Sequence, residues 1–165
     1  MIVDARAISY NQMVMFTQKQ PFELQGEPIQ PYDTIKIISI TDKELPKIFN
    51  DSDDVLTSVF ADIEPTVGTY KPSFIPDNPD YMVEEHAVGI IEFLEKIHAL
   101  PEKVLLLVNC RHGIARSGAV VDYTSTVYGI GYWNNKRRNP GIVPNQWVSY
   151  LLFKEHFKRI QQWLI

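Results

Sequence analysis

Cysteine is almost missing from this sequence, because the 165 residues include only Cys110. One cysteine cannot form a disulfide within the chain, and the first residues lack the basic segment and apolar core of a secretory signal. Both absences favour a reducing compartment, so we expect a cytoplasmic protein. The sequence also lacks any apolar run near the roughly 20 residues that a membrane-spanning helix requires, and we expect no membrane partner.

An excess of positive charge is missing as well. The chain has 16 Lys and Arg against 20 Asp and Glu, a formal net charge of -4, which disfavours general binding to nucleic acid. Hydrophobic residues make up 45% of the chain and aromatic residues 12%, as is typical of a protein with a sizeable core. The sequence therefore predicts one domain over residues 1–165.

The periodicity of apolar residues predicts an α/β fold. We expect strands near residues 2–8, 34–41, 55–61 and 103–109. We expect a first helix that has Ser9 as its N-cap. Further helices are expected over residues 81–100, over residues 117–127 and from residue 145 onward. This order suits a three-layer sandwich, in which helices flank a mainly parallel sheet of four or five strands.

The polar segments between these elements give weaker signals. Residues 42–44 and the acidic run 50–54 are predicted as solvated turns, and a short helix is expected through Ile48 and Phe49. Residues 136–138, Lys-Arg-Arg, indicate either a solvated turn or a site that recruits an acidic substrate. In the last helix we expect one buried stripe, formed by Trp147, Leu151, Leu152, Phe157, Ile160 and Leu164.

The most informative stretch is VLLLVNCRHGIARSG, residues 104–118. Its apolar beginning predicts a strand buried on both faces, and a helix is predicted from Ser117. Between strand and helix, successive backbone N–H groups can face inward and bind an anion, and the positive end of the helix dipole points into the same turn. We therefore expect this turn to bind a phosphate group.

The side chains of this turn add chemistry to the expected anion site. A thiol at a helix N-terminus beside an arginine is predicted to be partly ionised at neutral pH, so Cys110 can attack phosphorus. The planar guanidinium of Arg116 can bind two oxygens of a phosphoryl group. Gly113 permits a backbone angle or close approach that a side chain would obstruct, and Ser117 can donate a hydrogen bond to the sulfur.

CRHGIARS resembles the Cys-x5-Arg-Ser/Thr signature loop of the cysteine-dependent protein phosphatases, the protein-tyrosine and dual-specificity superfamily. Two further stretches, FADIEPTVG and NPGIVPNQ, are similar to segments of a group of bacterial tyrosine-phosphatase-like proteins, so the resemblance covers most of residues 55–160. The resemblance implies the cysteine-phosphatase fold, with the nucleophile at the bottom of a pocket at the carboxyl edge of the sheet. It makes Cys110 the nucleophile and Ser117 the group that assists the second step. The phosphoryl group is then bound by Arg111, His112, Gly113, Ile114, Ala115 and Arg116.

The chain departs from the family at one position. The family usually has His before the nucleophile, where it helps to orient the loop and tune the thiol, and this chain has Asn109. The general acid is also not fixed by the sequence. Asp62 follows the strand near 55–61, whereas Asp77 lies at a distance from the nucleophile closer to that of dual-specificity phosphatases; Asp80, or no acid, is the remaining alternative. Residues 65–79 are expected to form a flap over the pocket.

The resemblance predicts hydrolysis of a phosphomonoester, with phosphotyrosine or phosphoserine/threonine proteins as the preferred substrates. No metal or cofactor is expected, because Arg116 and the loop amides neutralise the phosphate charge. Arg111 and His112 add positive charge, which suggests as an alternative an RNA 5′-triphosphatase or a phosphoinositide or nucleotide phosphatase of the same superfamily. A catalytically silent phosphate-binding module is a further alternative because of Asn109. The last alternative is that Cys110 is a buried residue that only packs in the core, as a small hydrophobic side chain.

Overall fold

The computed structural model of the chain describes residues 1–27, 30–62 and 80–163. The strands in these ranges are β1 (Ile2–Ser9), β2 (Thr34–Thr41), β3 (Val55–Val59) and β4 (Val104–Cys110). The helices are α1 (Tyr10–Thr17), α2 (Glu84–His98), α3 (Arg116–Val127), α4 (Tyr132–Arg138) and α5 (Gln146–Trp163). Within the described ranges, none of the helices combines the length and the apolar character needed to cross a membrane.

The four strands form one parallel sheet in the order β1-β4-β2-β3. The expected four- or five-stranded, mainly parallel sheet is confirmed, with four strands in the described ranges. Ser9 of β1 pairs with Cys110, and Ser39 of β2 pairs with Asn109. Because the strands are parallel, their carboxyl ends lie along one edge of the sheet, and Cys110 is at the middle of that edge.

Helices cover both faces of the sheet, which explains why β4 is apolar along its length. One apolar cluster joins alternate β4 residues such as Leu106 and Val108 to α2, α3 and α5. The other joins Leu105 and Leu107 of β4 to Met13 of α1. All seven residues of β4 are buried. The arrangement is that of an α/β protein with helices on both sides of the sheet, as the sequence predicts.

Side chains cap the helices where the sequence predicts caps. Ser9 and Gln12 form a reciprocal capping box at the start of α1. At the start of α5, the side-chain oxygen of Asn145 accepts a hydrogen bond of 2.9 Å from the Val148 N–H. These bonds satisfy backbone donors that the first helical turn leaves free.

The structure differs from the expectation, in whole or in part, for three segments. Residues 46–50 form no helix, and Ile48 and Phe49 instead pack against the apolar cluster on the α1 side. Residues 136–138, expected as a solvated turn or a site for an acidic substrate, end helix α4; Arg137 is exposed, but Arg138 is buried, with its guanidinium 3.3 Å from Asp4. Phe157 and Ile160 are exposed, because α5 extends past the surface that buries Leu151 and Leu152; Leu164 lies outside the described residues.

The acidic run 50–54 is exposed, as expected. Asp51 accepts hydrogen bonds from the backbone and hydroxyl of Thr57, at 2.5 and 2.8 Å. The two other carboxylates form ion pairs, Asp53 with Lys96 and Asp54 with Lys36. The charges of this run are therefore used to hold β2, β3 and α2 to the segment between the strands.

Candidate active site

The turn between β4 and α3 folds back over the end of β1. Gly113 has a φ of +75°, and a Cβ atom on it would lie 2.5 Å from the carbonyl carbon of Ile8. Beside it, the Arg111 carbonyl accepts a hydrogen bond of 3.3 Å from the Tyr10 N–H. Glycine is required here for both reasons, because other residues rarely adopt this backbone angle and their side chains would overlap β1.

The last carbonyl groups of the loop bond to the segment that precedes α5. The Ile114 carbonyl accepts from the Val143 N–H at 3.3 Å, and the Ala115 carbonyl accepts from the Asn145 N–H at 3.1 Å. The backbone N–H groups of residues 111–115 donate no hydrogen bond to any described part of the chain. Such a run of free donors ahead of a helix is the arrangement of an anion-binding nest.

Cys110 and Ser117 lie side by side beneath this loop. The sulfur of Cys110 is 3.1 Å from the hydroxyl oxygen of Ser117, and both residues are buried. β4 ends at the cysteine and the first turn of α3 carries the serine, so the strand-to-helix turn brings the two side chains together. A hydroxyl at this distance can donate a hydrogen bond to the sulfur.

Arg116 is buried, with 2% of its surface exposed, and two protein acceptors bind the terminal nitrogens of its guanidinium. Its Nη1 donates a hydrogen bond of 2.7 Å to the Phe60 carbonyl, and its Nη2 is 3.4 Å from Oδ2 of Asp42. Its Nε donates to no described residue. Arginine presents its N–H groups as a planar fork, so a donor remains available on a guanidinium that the protein already orients.

Asp42 is the site residue that the sequence analysis missed. Predicted on a solvated turn, it is instead mostly covered, and Arg111 approaches its carboxylate with two nitrogens, at 3.1 and 3.4 Å. Burial acts to raise the pKa of Asp42, but hydrogen bonds from Arg111 and the charges of Arg111 and Arg116 outweigh it, so the pKa is below its ordinary value. The signal was its place directly after a strand that neighbours β4 in a parallel sheet.

Asp62, the favoured general acid, is exposed and is linked to the loop through one side chain. Its Oδ1 accepts a hydrogen bond of 2.9 Å from the side-chain amide of Asn145. Asn145 also donates its backbone N–H to the Ala115 carbonyl and caps α5. Asp62 is therefore held on the same edge of the sheet as Cys110, although the two come from different strands.

The other candidates for the acid are placed less favourably or not described. Asp77 and the expected flap over residues 65–79 lie outside the described residues. The side chain of Asp80 forms an ion pair with Lys43. Asp62 is therefore the described candidate that hydrogen bonds through Asn145 connect to the loop.

A cavity of about 230 Å³ opens between the ends of β2 and β3. Its described lining residues are Asp42, Lys43, Glu44, Val59, Phe60, Ala61 and Asp80. Two of these, Asp42 and Phe60, are the partners of the Arg116 guanidinium, so the cavity adjoins the arginine. Cys110 is not among these lining residues and is only 1% exposed, which differs from the expected pocket with the sulfur at its floor.

The remaining loop side chains point outward. His112 and Ile114 are exposed, and Arg111 forms ion pairs with Asp42 and with Glu44, the latter at 2.7 Å. The described ranges contain no group of three or more His, Cys, Asp or Glu side chains placed to hold a metal ion. The site thus consists of a buried sulfur, a buried guanidinium, free backbone donors and two carboxylates at its rim.

Comparisons with family models, curated proteins and solved structures find no match for this chain.

Proposed function

We propose that the chain has the cysteine-phosphatase fold and hydrolyses phosphomonoesters through a phosphocysteine intermediate. One observation carries the proposal: the buried Arg116 keeps a donor that no described residue uses, at the end of the loop that follows Cys110, and the N–H groups of residues 111–115 in that loop donate to no described residue. A buried donor without an acceptor is costly, so the Arg116 donor favours an anion that brings acceptor oxygens.

In the proposed first step, the phosphoryl oxygens accept hydrogen bonds from the loop amides and from Arg116. The thiolate of Cys110 attacks phosphorus in line with the leaving oxygen, so the S–P bond forms as the P–O bond breaks. A carboxylic acid gives its proton to the leaving oxygen, and Asp62 is the candidate that Asn145 holds near the loop. Asp77 is the alternative acid.

In the proposed second step, water attacks phosphorus and the S–P bond breaks. The proton lost by the water passes to the carboxylate left by the first step, and the sulfur leaves as a thiolate. Ser117 assists because its hydroxyl is 3.1 Å from the sulfur and can donate to the negative charge as it returns. Inorganic phosphate is released, and the thiolate and the acid are restored.

Substrate entry requires a rearrangement of this site. Cys110 is 1% exposed, so the residues over the sulfur must move before a phosphate can reach it. Arg116 must also exchange its contact with Asp42 for contacts with the phosphate, which carries a higher charge. Asp42 keeps its bonds to Arg111 during this exchange, so its carboxylate does not lose all of its partners.

We propose cytoplasmic phosphotyrosine or phosphoserine/threonine proteins as the substrates. The alternative of a triphosphatase or phosphoinositide phosphatase depended on free positive charge within the loop. Arg111 forms ion pairs with Asp42 and Glu44, so its charge is largely balanced before a ligand binds. Arg116 keeps one donor that no described residue uses, and a single such arginine suits a phosphomonoester, which has a smaller charge than a triphosphate.

The direct test is turnover of p-nitrophenyl phosphate in the presence of EDTA. We expect hydrolysis by the full chain, none by Cys110→Ser, and a loss of about 100-fold or more in Arg116→Lys, since lysine lacks the planar fork. Arg137→Lys, which changes an exposed arginine of α4, should keep the wild-type rate. Binding of tungstate without turnover would instead identify a silent phosphate-binding module.

A further inference from the structure

Two buried polar side chains without partners in the described ranges are in register on neighbouring strands, close to the Cys110 loop. Asn109 is fully buried, and neither its Oδ1 nor its Nδ2 bonds to a described residue. Ser39 is 2% exposed, and its hydroxyl likewise has no partner among the described residues. The proposed chemistry uses neither of these side chains.

Their position in the sheet places the two side chains on the same face. Ser39 of β2 is in register with Asn109 of β4, and residues in register on parallel strands point the same way. Alternation along β4 puts Asn109 on the α1 side, with Leu105 and Leu107. Ile8 of β1, also in register with Asn109, belongs to the same apolar cluster, so the pair is enclosed by apolar groups.

The loop contacts β1 beside this pair. A Cβ atom on Gly113 would lie 2.5 Å from the carbonyl carbon of Ile8, which is in register with Asn109. The Arg111 carbonyl is bonded to the Tyr10 N–H at the start of α1. The loop is thus anchored next to Asn109, whose side chain is on the face of the sheet opposite to the Cys110 sulfur.

We infer that Ser39 and Asn109 together bind one internal water molecule, which bridges β2 and β4 and supports the loop from below. Three polar atoms, one hydroxyl and both ends of an amide, provide the two to four partners that a buried water requires. Asn109 is then a positioning residue for Cys110. That positioning role rests on the proposed function, whereas the water site itself does not.

A crystal structure of the full chain tests the water site. We expect an ordered water within hydrogen-bond distance, roughly 2.7–3.2 Å, of both the Ser39 hydroxyl and the Asn109 amide. A direct hydrogen bond between Ser39 and Asn109, or no water between them at a resolution that shows other internal waters, would overturn the site.

A double-mutant cycle tests whether the two side chains share a partner. Asn109→Leu and Ser39→Ala should each lower the urea midpoint of unfolding, and the double variant should lose less than the sum of the two losses. Ser125→Ala is the matched control, because Ser125 is another buried hydroxyl without a described partner, but it lies on α3, against the other face of the sheet. Its effect should add to that of Asn109→Leu. Additive losses for Ser39 and Asn109 would contradict a shared water.

The positioning role has its own measurement. We expect Ser39→Ala, which leaves every loop residue in place, to slow alkylation of Cys110 by iodoacetamide at pH 7, while Ser125→Ala keeps the wild-type rate. Equal rates in the two variants would overturn the positioning role. If p-nitrophenyl phosphate is not hydrolysed but the water and the coupling are found, the proposed function fails and the water site stands.

Discussion

Oδ2 of Asp42 lies 3.4 Å from Nη2 of Arg116, so a carboxylate of the protein occupies the guanidinium that the proposed mechanism assigns to phosphate. The same carboxylate is bonded by Arg111. An anion can reach the free Nε of Arg116, but to bind Nη2 as well it must compete with Asp42.

The first prediction concerns this competition. Asp42→Asn removes a negative charge beside Arg116, so we expect phosphate and vanadate to bind severalfold more tightly at pH 7, as measured by calorimetry. Asp53→Asn is the control, because Asp53 is an exposed carboxylate paired with Lys96 away from the loop. Weaker binding in Asp42→Asn would mean that Asp42 orients Arg116 for the ligand more than it competes with it.

The second prediction concerns the glycine of the loop. Gly113→Ala places a methyl group against β1 at a positive φ, and we expect it to lower the free energy of unfolding by about 1–3 kcal/mol or more and to abolish turnover. Gly89→Ala is the matched control, because a Cβ at this position in α2 meets no atom within 4 Å. It should stabilise the protein by up to about 1 kcal/mol, since alanine is the better helix former. Urea unfolding measures both.

The third prediction separates the two roles of Asn145. Asn145→Ser keeps a side-chain oxygen that can cap α5 but removes the amide that donates to Asp62. We expect Asn145→Ser to keep nearly wild-type stability but to lower turnover of phosphoserine peptides. Asn145→Ala should lose both turnover and about 1 kcal/mol of stability. Equal turnover in Asn145→Ser and the wild type would remove Asn145 from the site.

The fourth prediction identifies the general acid. Asp62→Asn should lower turnover of phosphoserine, whose leaving group is poor, by about 100- to 10,000-fold, and turnover of p-nitrophenyl phosphate by much less. The same comparison with Asp77→Asn tests the alternative. Whichever variant shows the larger dependence on the leaving group marks the acid, and if neither does, the leaving group departs without help from these two carboxylates.

The fifth prediction concerns the ion pairs between α2 and α5. Hydrogen bonds from Lys154 and Lys158 lower the pKa of Glu84 from 4.5 to about 2. A lowered pKa in the folded state stabilises the protein above the unfolded value, and this contribution is lost as the pH falls from about 4.5 toward 2.

Glu84→Gln should therefore reduce stability at pH 7, by no more than about 1 kcal/mol because the pair is solvent-exposed, and should make little difference near pH 2. Urea unfolding at the two pH values measures the change. At 1 M salt the difference at pH 7 should shrink, because salt screens exposed charges. A difference between Glu84→Gln and the wild type that persists near pH 2 would assign the effect to packing.

The parts of the site that local sequence encodes could be predicted. The apolar run of β4, Gly113 in the turn and Asn145 at the start of a helix each depend on neighbours within a few residues, and the structure places them as expected. The contact between Asp42 and Arg116 spans 74 positions of the chain, and no local pattern specifies it. The burial of Arg138 is not encoded locally for a similar reason, since its partner Asp4 is 134 positions away.

The inner place of β4 in the sheet has a consequence for hydrogen exchange. β4 is bonded to a strand on each side, and fraying of the outer elements leaves such a strand intact. Movement of the loop can uncover the sulfur of Cys110, but the backbone amides of β4 become free only when the sheet itself opens. These amides are therefore expected to be among the slowest in the protein to exchange with deuterated solvent, at a rate that reports global unfolding.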